Sequence, residues 1–453
     1  MEKRHYDVFV IGSGIAGQTA ATMCAKNGFK VAIADKREYG GTCAIRGCDP
    51  KKIMMQFADL VHKSNNLKAK GVSKLPKVKW KTVQKFKSRY TDSVPPSTEN
   101  DLKSEGIDLY HQSPKFISES EIEVEGKIVS ADKFVIASGL MPRPLPFEGS
   151  QFLQTSDDIL NLKKIPKSAT FIGSGYVGME FAYMLSTLGC KVTILEHGGR
   201  ALSAFDPFLV DILIDSMRKI GVKFIFNAEP ISVEKLKKNH RITYKLKNKT
   251  KSHKSRLVFN TAGRVPATGL LGLENANIKT DHSGVLVNNY MQSTSQSTVY
   301  ACGDVSSASV PLTPLSGLQG YIAGHNLCFG NKKKFENPLV PSVVFTYPHL
   351  SMVGYSEEEA KRRYKSIKVF QGDVSHWYNA KKENSQGYAY KILVNERTDE
   401  IVGAHLLGSQ AHEVINILVM AMTTNMTVSA FKKLIFTYPS YTNDLKSMLK
   451  EDV

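Results

Sequence analysis

GSGIAGQTAATMCAKNGFKVAIAD, residues 12 to 35, returns as GSGYVGMEFAYMLSTLGCKVTILE at residues 173 to 196. The two segments align without a gap at an offset of 161 residues, and 10 of the 24 positions are identical. Each follows an apolar run, DVFVI or ATFI, and carries G-x-G-x-x-G. A helix-like stretch comes next, then a second apolar run that closes on an acid, Asp35 or Glu196. Strand, glycine turn, helix and strand ending on an acid make a βαβ dinucleotide fingerprint, present twice.

Each position has its own physical reason. Gly12 and Gly173 allow the tight turn, Gly14 and Gly175 let backbone amides approach a pyrophosphate, and Gly17 and Gly178 let the helix pack closely on the strand. The helix N-terminus then offers unpaired amides and a positive dipole end to the phosphates, and Asp35 and Glu196 are placed to accept from a ribose hydroxyl. Two such sites point to one dinucleotide held permanently and one that exchanges. A flavin fed by a nicotinamide is the economical pair. The fold class expected is α/β, with two Rossmann-like dinucleotide-binding domains and a C-terminal α+β domain.

At 453 residues and 42% hydrophobic composition, the chain can bury a large core and divide into two or three domains. No apolar run reaches the roughly 18 residues of a transmembrane helix. MEKRHY leads straight into DVFVIG without a signal-peptide pattern, so a cytoplasmic location is the expectation and no membrane partner is expected. The net charge of +18 favours an anionic partner or substrate. Of its local runs, KKNHRITYKLKNKTKSHKSR (237 to 256) and NKKK (331 to 334), the first reads as an exposed hairpin and lacks the aromatic interleaving of a nucleic-acid platform, so no nucleic-acid partner is expected.

FVIASGLMP (134 to 142) and FNTAGRVP (259 to 266) each read as a strand ending in a small-residue turn, where the chain can pass between domains. In TVYACGDV (298 to 305), Asp304 reads as a helix cap or a ligand. From about residue 338, antiparallel strands alternate with a helical EEEAKRRY, a hairpin turn at Asp399-Glu400, and a helical AHEVINILVMAMTTN.

GGTCAIRGCDPKK (40 to 52) follows the first fingerprint directly and holds Cys43 and Cys48. Five steps of regular helix cover about 7.5 Å, whereas a disulfide needs Cα atoms about 4.4 to 6.8 Å apart. The two can pair only across irregular backbone, which Gly47 and the Gly40-Gly41 pair permit. Asp49 and Pro50 suit a helix cap and first turn. Cys48 then lies by a helix N-terminus, where the dipole, Lys51 and Lys52 favour its thiolate. Zinc would need two further ligands, and there is no second close cysteine pair. A redox disulfide is favoured over zinc or a staple because of the location. Cys24, Cys190, Cys302 and Cys328 read as isolated, small core residues.

In order and separation, GSGIAGQTAA, GGTCAIRGCDPKK, GSGYVGMEFA, TAGRVP and YACGDV resemble the class I pyridine nucleotide-disulfide oxidoreductases. These include glutathione reductase, lipoamide dehydrogenase and mercuric reductase. The resemblance implies an FAD domain (1–142 and 260–335), a nicotinamide domain (143–259) and a dimerisation domain (336–453) that makes a homodimer. It also implies that Gly12, Gly14, Gly17, Asp35 and Asp304 hold FAD and that Gly41, Thr42, Gly139, Gly263 and Arg264 are among the cofactor-binding residues. Gly173, Gly175, Gly178, Glu196, His197 and Arg200 would then hold the nicotinamide dinucleotide, with Tyr176 as an aromatic gate. Cys48 matches the thiol beside the flavin and Cys43 the interchange thiol. Lys52, four residues after Cys48 on the same helix face, matches the lysine near the flavin, with Glu180 as its partner.

The chain departs from that pattern at its end. The family's disulfide reductases carry His-Pro-Thr-x-Ser-Glu, whose histidine serves the partner subunit's interchange thiol. Here the stretch is Tyr438-Pro439-Ser440-Tyr441-Thr442-Asn443. A phenol with a reference pKa near ~10 is a poor base at neutral pH, and Asp444 follows the glutamate position by one residue. Tyr321 and Thr98 stand where glutathione reductases carry an arginine and a tyrosine that grip the peptide. The mercuric reductases' C-terminal cysteine pair is absent.

The expectation is an enzyme passing electrons from NADH or NADPH through FAD and Cys43-Cys48 to a small-molecule acceptor, first a disulfide. The alternatives are a metal ion or quinone, or a low-turnover sensor. NADH is favoured because Glu196 accepts from a ribose 2′-hydroxyl and repels a 2′-phosphate. His197 and Ser203 occupy the positions of phosphate-binding arginines, leaving Arg200 as the counterweight.

Overall fold

A computed structural model describes residues 4–308 and 310–450. The chain forms two compact units. The first comprises Met1–Met54, Gln84–Arg143 and Gly263–Asn337; the second comprises Met55–Val83, Pro144–Ala262 and Pro338–Val453.

The first unit is built on a seven-stranded sheet. Its order is Asp108–Tyr110, Val31–Ala34, Arg4–Ile11, Lys127–Ile136, Glu121–Val124 and Lys115–Phe116, and Val299–Ala301 also pairs with Lys127–Ile136. The strands around Arg4–Ile11 are parallel, while Glu121–Val124 and Lys115–Phe116 are antiparallel. Val8, Phe9, Val10 and Ile11 are all buried, so this strand reads as a continuous apolar run, as a parallel strand covered on both faces must. Helices Ile15–Lys26 and Thr313–Phe329 belong to this unit, as does a ribbon joining Leu140–Pro142 to Arg264–Pro266. The ribbon joins the ends of FVIASGLMP and FNTAGRVP.

In the second unit, a parallel sheet runs in the order Lys223–Ile225, Lys191–Leu195, Ser168–Ile172 and Leu257–Asn260. The lysine-rich segment is a hairpin, His240–Leu246 against Lys249–Ser255, turning through Lys247 and Asn248, both at positive φ. A five-stranded antiparallel sheet follows, ordered Ser342–Val344, His349–Gly354, Glu400–Gly408, Ala389–Asn395 and Ile367–Asp373. Helices Ala411–Thr423 and Tyr441–Met448 pack their apolar faces on it through Ile415, Leu418 and Leu445. The turn expected at Asp399-Glu400 instead spans 396–399: Asp399 takes the positive φ and Glu400 already pairs with Asn395.

The helix expected from EEEAKRRY spans Glu357–Arg363, where Ser356 and Glu359 form a reciprocal capping box. Among the described residues, no helix is long and apolar enough to cross a membrane.

Candidate active site

The sequence repeat is a structural repeat. Strand Arg4–Ile11, helix Ile15–Lys26 and strand Val31–Ala34 correspond to Ser168–Ile172, Tyr176–Thr187 and Lys191–Leu195, and both helices begin and end at the sequence offset. The acid is held identically in each. Asp35 Oδ2 accepts from the Ser13 amide at 2.8 Å and its hydroxyl at 2.7 Å. Glu196 Oε2 accepts from the Ser174 amide at 2.9 Å and its hydroxyl at 2.5 Å. The serine inside G-S-G is therefore a working position that the sequence reading passed over.

The three glycines of each fingerprint do different jobs. At Gly12, φ is +111° and a Cβ would stand 2.3 Å from the Ala137 carbonyl oxygen; at Gly173, φ is +98° and the distance to the Thr261 oxygen is 2.6 Å. A Cβ on Gly17 or Gly178 would meet the first glycine's carbonyl at 1.9 or 2.5 Å. The middle glycines face no such obstacle. The nearest atom to a Gly14 Cβ is Gly41 Cα at 4.0 Å, and nothing lies within 4 Å at Gly175. Side chains there would fill a cradle that the fold leaves clear for a ligand. Beside the first cradle, Ser138 Oγ is buried without a partner, which suits a bound group with polar atoms of its own. These residues fit dinucleotides.

Cys43 lies in the short helix Gly41–Arg46, and Cys48 opens the helix Cys48–Asn66, two residues earlier than a cap at Asp49 implies. Gly47 separates them, at φ −133° and ψ −112°. A Cβ on it would come within 2.8 Å of the Thr42 carbonyl, so glycine makes the irregular join. Gly41 is at φ +75°, and a Cβ there would stand 2.5 Å from Gly14 Cα; the cysteine loop therefore closes directly on the first fingerprint.

Both cysteines are free thiols in this structure. The Thr313 hydroxyl donates to Cys43 Sγ at 3.1 Å and stands 4.0 Å from Cys48 Sγ. The two thiols titrate in opposite directions. The bond with Cys43, followed by the charges of Lys51 and Lys52 and the Thr313 hydroxyl, lowers Cys48 to about 6 against the opposing effect of burial. The same bond, with burial, raises Cys43. Thr313 carries no recognisable spacing signal relative to residues 43 and 48, because it arrives from a helix some 270 positions away.

Gly139 and Gly263 take positive φ, and Arg264 donates to the Leu140 carbonyl at 2.7 Å. Asp304 accepts from Ser316 at 3.0 Å; burial raises its pKa, opposed by that bond and by Arg264. It lies inside a short 3₁₀ turn rather than at its cap. Thr42 is exposed.

In the second unit, Glu196 Oε1 accepts from the Gly198 amide at 2.8 Å and lies 2.9 Å from His197 Nδ1. Arg200 donates to the carbonyls of Ser203 and Phe205, which hold it on its own loop. Tyr176 opens its helix and is 46% exposed. Glu180 is buried and accepts from the Phe345 amide at 2.9 Å.

A family model described as pyridine nucleotide-disulphide oxidoreductase matches residues 6–320, and that family's dimerisation domain matches residues 340–449. The chain belongs to this family. It is 28% identical over 449 residues to a glutathione reductase of Burkholderia cepacia, covering 99% of both chains. It is 29% identical over 436 residues to a mercuric reductase of Staphylococcus aureus, covering 93% of this chain and 78% of that one. Among solved structures, the HOCl-induced flavoprotein disulfide reductase RclA of Escherichia coli superimposes with a TM-score of 0.86 at 28% identity, covering 98% of this chain and 100% of that one. RclA has also been solved as a Cu(II) complex. The chain is thus a flavoprotein disulfide reductase of the glutathione reductase family, whose members bind FAD and NAD(P)H, and its dimerisation domain supports a homodimer.

Similar identities to relatives with different substrates leave the acceptor to the site itself. Tyr438, at the family's histidine position, is 73% exposed. Ser440 caps the helix that holds Asn443, its Oγ accepting from the Asn443 backbone amide at 3.1 Å. Asp444 accepts from Asn379 at 2.8 Å and Tyr388 at 2.9 Å, so it is fixed inside its own unit. Tyr321 accepts from Lys333 at 2.6 Å, and Thr98 is buried.

Proposed function

We propose that this protein oxidises NADH and delivers two electrons through Cys43 and Cys48 to a thiophilic metal ion, with Cu(II) the leading candidate. The observation that carries the reading is the side chain at the family's histidine position: Tyr438 stands there 73% exposed, and a phenol is a poor base at neutral pH. The bond between the two thiols lowers Cys48 and raises Cys43.

Bound FAD supplies the two-electron relay between nicotinamide and disulfide. Around it, Gly12, Gly14, Gly17, Asp35, Gly41, Thr42, Lys52, Gly139, Gly263, Arg264 and Asp304 bind and orient. Gly173, Gly175, Gly178, Glu196 and His197 hold the nicotinamide dinucleotide, with Tyr176 as its gate. The domain boundaries follow at 1–142 with 260–335, 143–259 and 336–453.

A disulfide acceptor requires Cys43 to lose its proton before attack and the departing thiolate to gain one. The family's histidine performs both transfers, and Tyr438 is a poor base for the first. A soft metal ion displaces the thiol proton on binding, without a general base. The step balances: counted from the neutral dithiol, two thiols give two electrons to two Cu(II), leaving two Cu(I), one Cys43-Cys48 disulfide and two protons, of which Cys48 has already released one where it stands as the thiolate. RclA's binding of Cu(II) supports this choice. Disulfide reduction is the second reading, favoured by the partly exposed Cys43 thiol.

The test is anaerobic NADH oxidation by the holoenzyme with Cu(II), Hg(II), quinones and a panel of disulfides. Turnover with Cu(II), accompanied by chelator-trapped Cu(I) and lost in Cys43→Ser and Cys48→Ser, is the expected result. Faster turnover on a disulfide would install the second reading, and reduction without turnover on any acceptor would leave a sensor.

A further inference from the structure

Cys24 and Cys328 are not the isolated core residues expected from sequence. Their sulfurs lie 3.8 Å apart, Cys24 fully buried and Cys328 partly exposed. The pair is the last rung of a ladder between helix Ile15–Lys26 and helix Thr313–Phe329. A Cβ on Gly320 would stand 2.3 Å from the Ala16 carbonyl oxygen. One on Gly324 would stand 3.2 Å from Ala20 Cα and 2.9 Å from Met23 Cβ. Ala16 with Gly320, Ala20 with Gly324 and Cys24 with Cys328 share one separation, 304 residues. The helices therefore run parallel with backbones touching, and successive rungs are four residues apart, on one face of each. Such close axes favour the short Cα separation that a disulfide demands.

We propose that Cys24 and Cys328 are a second redox pair, which a strong two-electron thiol oxidant of the peroxide class closes into a disulfide. Cys328 is the entry point because it alone of the two reaches solvent. Its thiolate takes the terminal hydroxyl of hydrogen peroxide, giving a sulfenic acid and water. The Cys24 sulfur then attacks that sulfur: the S–S bond forms, the S–O bond breaks and a second water leaves. In total, two thiols lose two electrons and two protons, and one peroxide becomes two waters.

Burial raises both thiols, with the Lys133 ammonium in partial opposition. The pair therefore responds after Cys43 and Cys48 rather than with them. Its closure fastens together the last turns of two helices. The first turn of one follows Gly14, and the first residue of the other is Thr313, which donates to Cys43.

The experiment is independent of the acceptor. Reduced holoenzyme, freed of reductant, is titrated with hydrogen peroxide, alkylated and digested without reduction, and the peptides are identified by mass spectrometry. Once Cys43 and Cys48 are oxidised, further peroxide should join the Cys24 and Cys328 peptides in most molecules, and dithiothreitol should release them. Cys328→Ser should leave Cys24 as an alkylatable thiol and NADH oxidation unchanged. Recovery of both cysteines alkylated at high peroxide, Cys328 as sulfinic acid, or Cys24 joined to Cys302 would each overturn the proposal.

Discussion

The two fingerprints share a sequence, a register and a way of holding their acid, yet their surroundings differ. Over the first, the cysteine loop brings Gly41 to the middle glycine, and helix Thr313–Phe329 lies along the fingerprint helix from Ala16 to Cys24. At the second, nothing stands within 4 Å of a Gly175 Cβ, while the residues that open the two helices, Ile15 and Tyr176, are similarly exposed at 43% and 46%. One cradle has a loop of the chain against its middle glycine and the other does not. This suits a first ligand that stays and a second that comes and goes, a division that the motif alone cannot express.

The largest effects should fall on what the fingerprints share. Gly12→Ala and Gly173→Ala each force a side chain into a left-handed conformation and against a carbonyl. Roughly 1–3 kcal/mol of backbone strain and about 1–3 kcal/mol of overpacking should appear as lost stability in urea titrations. Gly175→Ala should cost under about 1 kcal/mol, the intrinsic Gly-to-Ala range, while raising KM for the nicotinamide. Equal destabilisation at Gly12 and Gly175 would erase the distinction between steric and ligand-facing glycines.

Nucleotide preference probes the second site. Glu196 is held by Ser174 and Gly198, and Arg200 by two carbonyls, so the arginine is not free to offset the carboxylate's repulsion of a 2′-phosphate. We expect higher kcat/KM with NADH and a shift toward NADPH in Glu196→Ser. A tenfold preference of the unmodified enzyme for NADPH, about 1.4 kcal/mol, would reverse the assignment. Tyr438→Phe should slow turnover by less than about tenfold, well short of the ~10²- to 10⁴-fold expected for a general acid or base. A larger loss would return a proton-transfer role to the phenol.

What sequence revealed follows the range of the interactions. The repeat, both helices and the Gly47 break are local, so residue spacing alone located them. Antiparallel strands after residue 338 were visible in their alternation, whereas the turn at 396–399, earlier than expected, closes through a positive φ at Asp399 that composition does not specify. Thr313 and the Cys24-Cys328 pair were out of reach because they depend on how one helix lies along another. The two partners are 270 and 304 positions away. Ser13 and Ser174 were in plain view, but the motif's glycines drew the reading past them.

The smallest effect expected is the most specific to the first site. Thr313 has a hydroxyl 3.1 Å from Cys43 Sγ and 4.0 Å from Cys48 Sγ, and it contributes to lowering Cys48. In the reduced protein, the ultraviolet absorbance of the Cys48 thiolate, taken as a difference from Cys48→Ser, should appear as pH rises through about 6 and vanish below it. Thr313→Val removes one donor. If that bond contributes about 1 kcal/mol, the thiolate fraction at pH 6 should drop from about one half to about one sixth, because a fivefold smaller acid constant leaves more of the thiol protonated. Thr313→Ser keeps the hydroxyl and should keep the midpoint. A purely structural threonine would alter stability in both variants and move neither titration, so an unshifted midpoint in Thr313→Val would show that the loop and Lys51 and Lys52 alone tune the thiol.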